Sequence, residues 1–243
     1  MSFSLVPGFG QRYPRLDRAS LLIESCCTSL AEALSAQTRG AGRIELCTDL
    51  SVGGLTPPRD LIREAATRLS IPVNVLIRPV PCETLWVSDL DGTGRQMGFS
   101  AEDFVYGEDE VSQMVEDIVF CRSAGAAGIV VGALTPEGAI DLPAMQRLIA
   151  AAGPLSVTFH RAFDVCREDP FEAADKIVSL FCTRLLTSGM APSAWEGREL
   201  LARLVRYAGD RLIIMPGRGV RSDNLAALAA ATGASEFHGT ALP

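Results

Sequence analysis

One recurring unit constrains what this chain can fold into: a helical stretch ends in Gly-Ala, two more residues follow, and then a short apolar run. It reads Gly40-Ala41-Gly42-Arg43 before Ile44-Glu45-Leu46-Cys47, and Gly125-Ala126-Ala127-Gly128 before Ile129-Val130-Val131. It returns as Gly233-Ala234-Ser235-Glu236 before Phe237-His238. Glycine just past a helix takes the left-handed conformation that ends it and turns the chain into a strand. Strands and helices alternating through such short connections predict βαβ units and a parallel sheet. Eight strand candidates can be read: Leu21–Cys26, Arg43–Cys47, Val73–Arg78, Gly128–Gly132, Ser156–Arg161, Arg184–Thr187, Leu212–Met215 and Glu236–His238. Each is followed by a helical stretch, so the chain is expected to be one closed (β/α)8 barrel. A doubly wound sheet is the alternative, better suited to six strands.

Length and composition agree. The 243 residues match the ~250 typical of one such barrel, and no linker or charge block divides residues 1–243 into two domains. No apolar run reaches the ~18 residues of a membrane span. The first seventeen residues lack the apolar stretch of a secretion signal, so a cytoplasmic location without membrane attachment is expected. Residues 1–18 read as an N-terminal extension. With 22 basic and 29 acidic residues the net charge is −7. All of it falls between Val80 and Glu110, where eight acids face Arg95 alone. No basic stripe remains to bind nucleic acid. Seven cysteines, an odd number without a C-x-x-C pair, argue against a zinc knuckle or a disulfide scaffold.

Several apolar strands finish in polar residues. Glu24 follows Ile23, Glu45 follows Ile44, Arg78 ends the third strand, and His160-Arg161 ends the fifth with Asp164 close behind. Thr187-Ser188, Pro216-Gly217 and His238 end the sixth, seventh and eighth. Charges at the ends of buried strands are costly unless they pair or bind a ligand. They are therefore expected to converge at one end of the barrel, as a site or as an internal salt-bridge layer that only closes it. Gly217-Arg218-Gly219 before a helix opening near Ser222-Asp223-Asn224 is where barrels often hold an anion, with Thr187 and Ser188 as added donors. The one lysine, Lys176, falls within a helix, which disfavours Schiff-base chemistry.

Side chains alternate along a strand, so Glu24 and Cys26 share a face, as do Glu45 and Cys47. If the first two strands pair in matching register, Cys26 and Cys47 are neighbours able to hold a soft ion such as Cu(I). The competing reading is a buried thiol pair that only packs. After Arg78-Pro79 an acidic, glycine-bearing insertion spans residues 80–110, far longer than an ordinary βα connection. It is expected to lie over the barrel mouth, as a lid or a solvated surface loop, or to pack against a second subunit in a homo-oligomer. It is not expected to form core.

Arg43-Ile44-Glu45-Leu46-Cys47 with Gly53-Gly54-Leu55-Thr56-Pro57 resembles the signature of the CutC family, called copper homeostasis proteins. Ile77-Arg78-Pro79, Gly132-Ala133-Leu134-Thr135, Val157-Thr158-Phe159-His160-Arg161-Ala162-Phe163-Asp164, Leu186-Thr187-Ser188-Gly189, Met215-Pro216-Gly217 and Glu236-Phe237-His238 follow in the same order. The resemblance covers about residues 20–240. It implies an α/β, TIM-type barrel, a cytoplasmic protein and a link to copper handling. Cys26 and Cys47 stand where family cysteines proposed for Cu(I) stand. Two departures are visible: Val80-Pro81-Cys82 begins the long insertion after strand 3, and Arg218 interrupts the glycine run after strand seven.

Two functions follow. The first is Cu(I) binding by Cys26 and Cys47. The second is a barrel enzyme acting on a small anionic substrate at the carboxyl ends of the strands. In it Arg78 and Arg161 clamp the anion, Glu45 and His160 exchange protons, and Asp164, Glu24, Thr187, Ser188, Gly217, Gly219 and His238 complete the site. A divalent ion held by Glu and His is a third possibility.

Overall fold

A computed structural model describes residues 21–82, 86–88 and 96–240. The strands are β1 (Leu22–Cys27), β2 (Arg43–Leu46), β3 (Val73–Leu76), β4 (Trp86–Ser88), β5 (Gln96–Gly98), β6 (Gly128–Val131), β7 (Ser156–Phe159), β8 (Arg184–Thr187), β9 (Ile213–Pro216) and β10 (Glu236–Gly239). The helices are α1 (Leu30–Thr38), α2 (Arg59–Arg68), α3 (Glu108–Ser123), α4 (Leu142–Ala152), α5 (Pro170–Ser179), α6 (Arg198–Ala208) and α7 (Leu225–Thr232). Eight parallel strands run in the order β10-β1-β2-β3-β6-β7-β8-β9. Each pairs with its sequence neighbour in the barrel, and β9 packs against β10 to bring the sheet nearly to closure. A doubly wound sheet would reverse its strand order, so this is a (β/α)8 barrel.

Local chemistry sets the element ends. Gly40, Gly125 and Gly233 adopt φ of 99°, 86° and 72°, as a helix-to-strand turn requires. Ser29 caps α1 by accepting from Glu32 N, while Asp141 and Asp169 cap α4 and α5. The alternate residues Ile44, Leu46, Val73, Val75, Ile129, Val131, Val157, Phe159, Leu185, Ile214 and Phe237 face outward into the main apolar core. There they meet helical residues such as Ile62, Met114, Ile118, Leu148, Ile177, Leu201 and Leu204. The other parity faces the lumen. It carries Glu24, Arg43, Glu45, Asn74, Thr158, Arg184 and Glu236, all buried, with a small apolar cluster of Cys26, Cys47, Leu76 and Val130. Barrel lumens are ordinarily filled by branched aliphatic residues. Here the core lies outside the sheet, and the inside is largely polar.

Two sequence expectations are corrected. Matching register for the first two strands fails, because Cys26 pairs with Glu45 and Cys27 with Leu46. The stagger is what closing a barrel demands. The insertion also contributes core. β4 and β5 pair antiparallel, and the short 3-10 turn Ala101–Phe104 buries Ala101, Asp103 and Phe104. Phe104 is 2% exposed and Asp103 accepts from Ser100 N, so the tail of the insertion is structural. The residue 1–18 extension and the acids Glu83, Asp89 and Asp91 lie outside the described residues. No helix among the described residues is long and apolar enough to cross a membrane.

Candidate functional site

The lumen is organised in levels. At its floor Arg43, the first residue of β2, donates from Nε to Glu24 at 2.5 Å and from Nη2 to Glu236 at 2.7 Å. Arg184 donates to the same Glu236 oxygen at 2.6 Å and to Ser156 Oγ at 3.2 Å. Gly128 sits among these groups, and a Cβ there would lie 2.4 Å from both Asn74 Oδ1 and Ser156 Oγ. Sequence reasoning missed Arg43, Arg184 and Glu236. Their signal was a charge opening an otherwise apolar strand, the mirror image of the strand-end charges that were noticed. This network is an internal salt-bridge layer of the kind weighed from the sequence.

Above it, His238 joins two carboxylates: Nδ1 lies 2.9 Å from Glu24 Oε1 and Nε2 lies 3.2 Å from Glu45 Oε2. Glu24, Glu45 and His238 therefore sit inside the barrel, each the third residue of its strand, rather than at the strand ends. Burial alone would raise the Glu24 carboxyl, but Arg43 and His238 outweigh it and hold it well below the usual carboxylate range. For Glu45 burial, with Glu24 nearby, outweighs the opposing pull of His238 and Arg43 and pushes it up to about 7. Burial disfavours the charged His238 ring, yet Glu45 and Glu24 raise its pKa above the ordinary value. Cys26 Sγ lies 3.4 Å from Cys47 Sγ. One ligand atom each from Cys26, Glu45 and His238 lies within 4.8 Å of the others. The Cys47 hydrogen bond, followed by burial and Glu45, raises the Cys26 pKa well above that of a free thiol. Leu50 closes over the pair. A cleft of about 310 Å³ lined by Ser25, Cys26, Cys27, Glu32, Arg39 and Thr240 reaches Cys26 from outside.

The mouth, beyond the carboxyl ends of the strands, holds the remaining candidates. Arg78 is 2% exposed and anchored by Gly53 O, Cys82 Sγ and Asp103 O. His160 projects toward Gly132, where a Cβ would lie 2.6 Å from Nδ1, and that Nδ1 accepts from Ala162 N. Burial, reinforced by Arg78, lowers the His160 pKa to about 3, so the ring is neutral. Asp164 accepts from Thr187 Oγ1, Ser188 N, Ser188 Oγ and Arg161 Nε at 2.5–3.1 Å. Its oxygens are committed, so it positions Arg161 and has no lone pair left for proton transfer. Thr187 and Ser188 serve this carboxylate. Gly217 donates to Thr187 O and packs against Leu186, while Gly219 has φ of 70°. The helix expected near residue 222 begins at Leu225, and Asp223 pairs with Arg221 rather than capping it. Lys176 lies on α5, paired with Glu168.

Fold and lumen together define a class: a (β/α)8 barrel whose interior carries a thiol, carboxylate and imidazole cluster in place of aliphatic layers. The CutC family model matches residues 21–90 and 99–242, and the chain belongs to that family. A CutC family protein from Chromobacterium violaceum is 44% identical over 220 residues, spanning 90% of this chain and 81% of that protein. One from Xanthomonas campestris is 46% identical over 219 residues, spanning 90% and 82%. A crystal structure from Streptococcus agalactiae, named for copper homeostasis as CutC, superimposes with a TM-score of 0.80 at 32% identity. It covers 92% of this chain and 100% of its own. The family match omits residues 91–98, which fall inside the insertion.

Proposed function

We propose that this chain binds Cu(I) between Cys26 and Cys47, with Glu45 and His238 beside the ion, and that it takes part in copper handling. The observation that carries the reading is the 3.4 Å contact between two thiols from adjacent strands, one of them within ligand range of a carboxylate and an imidazole. Thiolates select soft ions, which favours Cu(I) over Mg²⁺ or Ca²⁺. With metal–thiolate bonds of about 2.3 Å, the zinc value, a trigonal site needs sulfurs about 4 Å apart, a small opening from the present contact. Both thiols must lose protons on binding. Glu45, titrating near 7, stands next to them as an acceptor. The cleft beside β1 counts Cys26 among its lining residues. The Streptococcus agalactiae relative's name points the same way.

The test is an anaerobic Cu(I) titration against a chromophoric competitor, with Zn²⁺ as comparison. The wild type is expected to bind one Cu(I), and the Cys26→Ser/Cys47→Ser double variant none at the same competitor concentration. Equal stoichiometry and affinity in both proteins would leave these cysteines as packing and refute the proposal.

A further inference from the structure

The mouth of the barrel holds a second constellation, separate from the thiols. Phe99, the first family-matched residue after the 91–98 gap, places its ring 5.0 Å from Arg161 Cζ and 5.5 Å from Arg78 Cζ. Phe104 lies 4.8 Å from Arg78 Cζ and 5.0 Å from the His160 ring, and the two phenylalanines meet edge to face at 5.5 Å. Around these rings are buried polar atoms with no hydrogen-bond partner: Arg78 Nε and His160 Nε2. Tyr106 Oη is buried beside the Arg78 guanidinium. Native interiors leave few such groups, and those that remain often mark function.

The orphaned nitrogens are of one kind. Arg78 is held at both terminal nitrogens by Gly53 O, Cys82 Sγ and Asp103 O, which leaves Nε–H uncommitted. His160 Nδ1 accepts from Ala162 N, so the neutral ring carries its proton on Nε2. Both are donors that demand an acceptor. Arg161 stands alongside, anchored at Nε by Asp164, with 18% of its side chain exposed. Unpartnered donors set beside two guanidinium groups match the oxygens of an anion.

We propose that this mouth is a binding site for a small oxyanion, a carboxylate or a phosphate, whose oxygens accept from Arg78 Nε, His160 Nε2 and the Arg161 guanidinium. Phe99, the ring now between the two arginines, is what the ligand displaces. The site uses neither Cys26 nor Cys47, so it stands or falls independently of copper binding.

The chain has two histidines, which makes the test direct. Full-length protein labelled with ¹⁵N-histidine is titrated at constant ionic strength with inorganic phosphate and, separately, with oxalate. The His160 Nε2 resonance is expected to shift saturably with at least one anion, and by more than the His238 resonances, since His238 is held by Glu24 and Glu45 and touches the site only through the charge of Arg161. Whichever anion saturates at lower concentration identifies the chemistry. Phe99→Ala is expected to bind about 10-fold more tightly, Arg161→Gln about 10-fold more weakly, and Cys26→Ser/Cys47→Ser as wild type. A His160 signal unmoved by either anion in both wild type and Phe99→Ala would overturn the proposal. So would an Arg161→Gln protein that binds like the wild type.

Discussion

Replacing His160 by Asn should change how stability depends on pH. The ring is 6% exposed, packed on Phe104, with Arg78 and Arg161 as its charged neighbours and Nδ1 already accepting from Ala162 N. Protonation in place would remove that acceptor and set a third positive charge beside two arginines. Burial and Arg78 lower the folded pKa to about 3, against about 6.5 for an unfolded histidine. Because the folded pKa is depressed, the unfolded chain binds the extra proton between these values. The His160 contribution is complete above pH 6.5 and is lost as pH falls toward 3, at about 1.4 kcal/mol per pH unit. Glu45 acts in the opposite sense. Its folded pKa, raised to about 7, makes its contribution favourable below pH ~4.5 and lost as pH rises toward 7. In the wild type the two slopes oppose each other between about pH 4.5 and 6.5. His160→Asn removes one of them, and its amide oxygen keeps an acceptor near Ala162 N. Urea unfolding at pH 4.5 to 7.5 should show the stability difference between wild type and variant shrinking by about 2 kcal/mol from pH 6.5 to 4.5. Parallel wild-type and variant profiles over that range would refute the argument that His160 is held neutral by its surroundings.

Arg43→Met leaves Glu24 with His238 and Asn74, and Glu236 with Arg184; each acid keeps a partner, so the loss should sit near 3 kcal/mol, the low end for a broken buried pair. Calorimetry should then show a Tm lower by about 6–12 °C. Gly128→Ala places a Cβ 2.4 Å from Asn74 Oδ1 and Ser156 Oγ and 2.7 Å from the Ser156 carbonyl. An unfolding free energy lower by about 1–3 kcal/mol is expected, and a stability equal to wild type would mean the floor of the lumen is not close-packed. Phe104→Ala, which empties a 2% exposed position between Arg78 and His160, should cost about 3–5 kcal/mol in chemical denaturation. A cost under 1 kcal/mol would return the whole insertion to the surface.

The sequence by itself determined the barrel. Apolar runs at regular intervals and glycines at helix ends are local signals, and they placed all eight barrel strands within two residues at every boundary. It also showed that Glu24 shares a strand face with Cys26 and Glu45 with Cys47, and that several apolar strands end in polar residues. Only the tertiary structure decided which polar group meets which. Strand stagger is a property of the closed sheet, and it set Cys26 opposite Glu45 where matching register would have set it opposite Cys47. It also divided the candidates by height: Glu24, Glu45 and His238 lie within the lumen, whereas Arg78, His160, Arg161 and Asp164 lie at the mouth. Asp164 reads in the chain as a free carboxylate after a His-Arg pair, but loops 23–26 residues distant consume its oxygens. Phe99 and Phe104 look like incidental apolar residues at the end of an acidic insertion. Their contacts with Arg161 and His160 join segments more than 50 residues apart, and no local pattern records such a meeting. Short-range stereochemistry writes secondary structure into the sequence; pairing among buried charges is settled only when closure of the barrel fixes their distances.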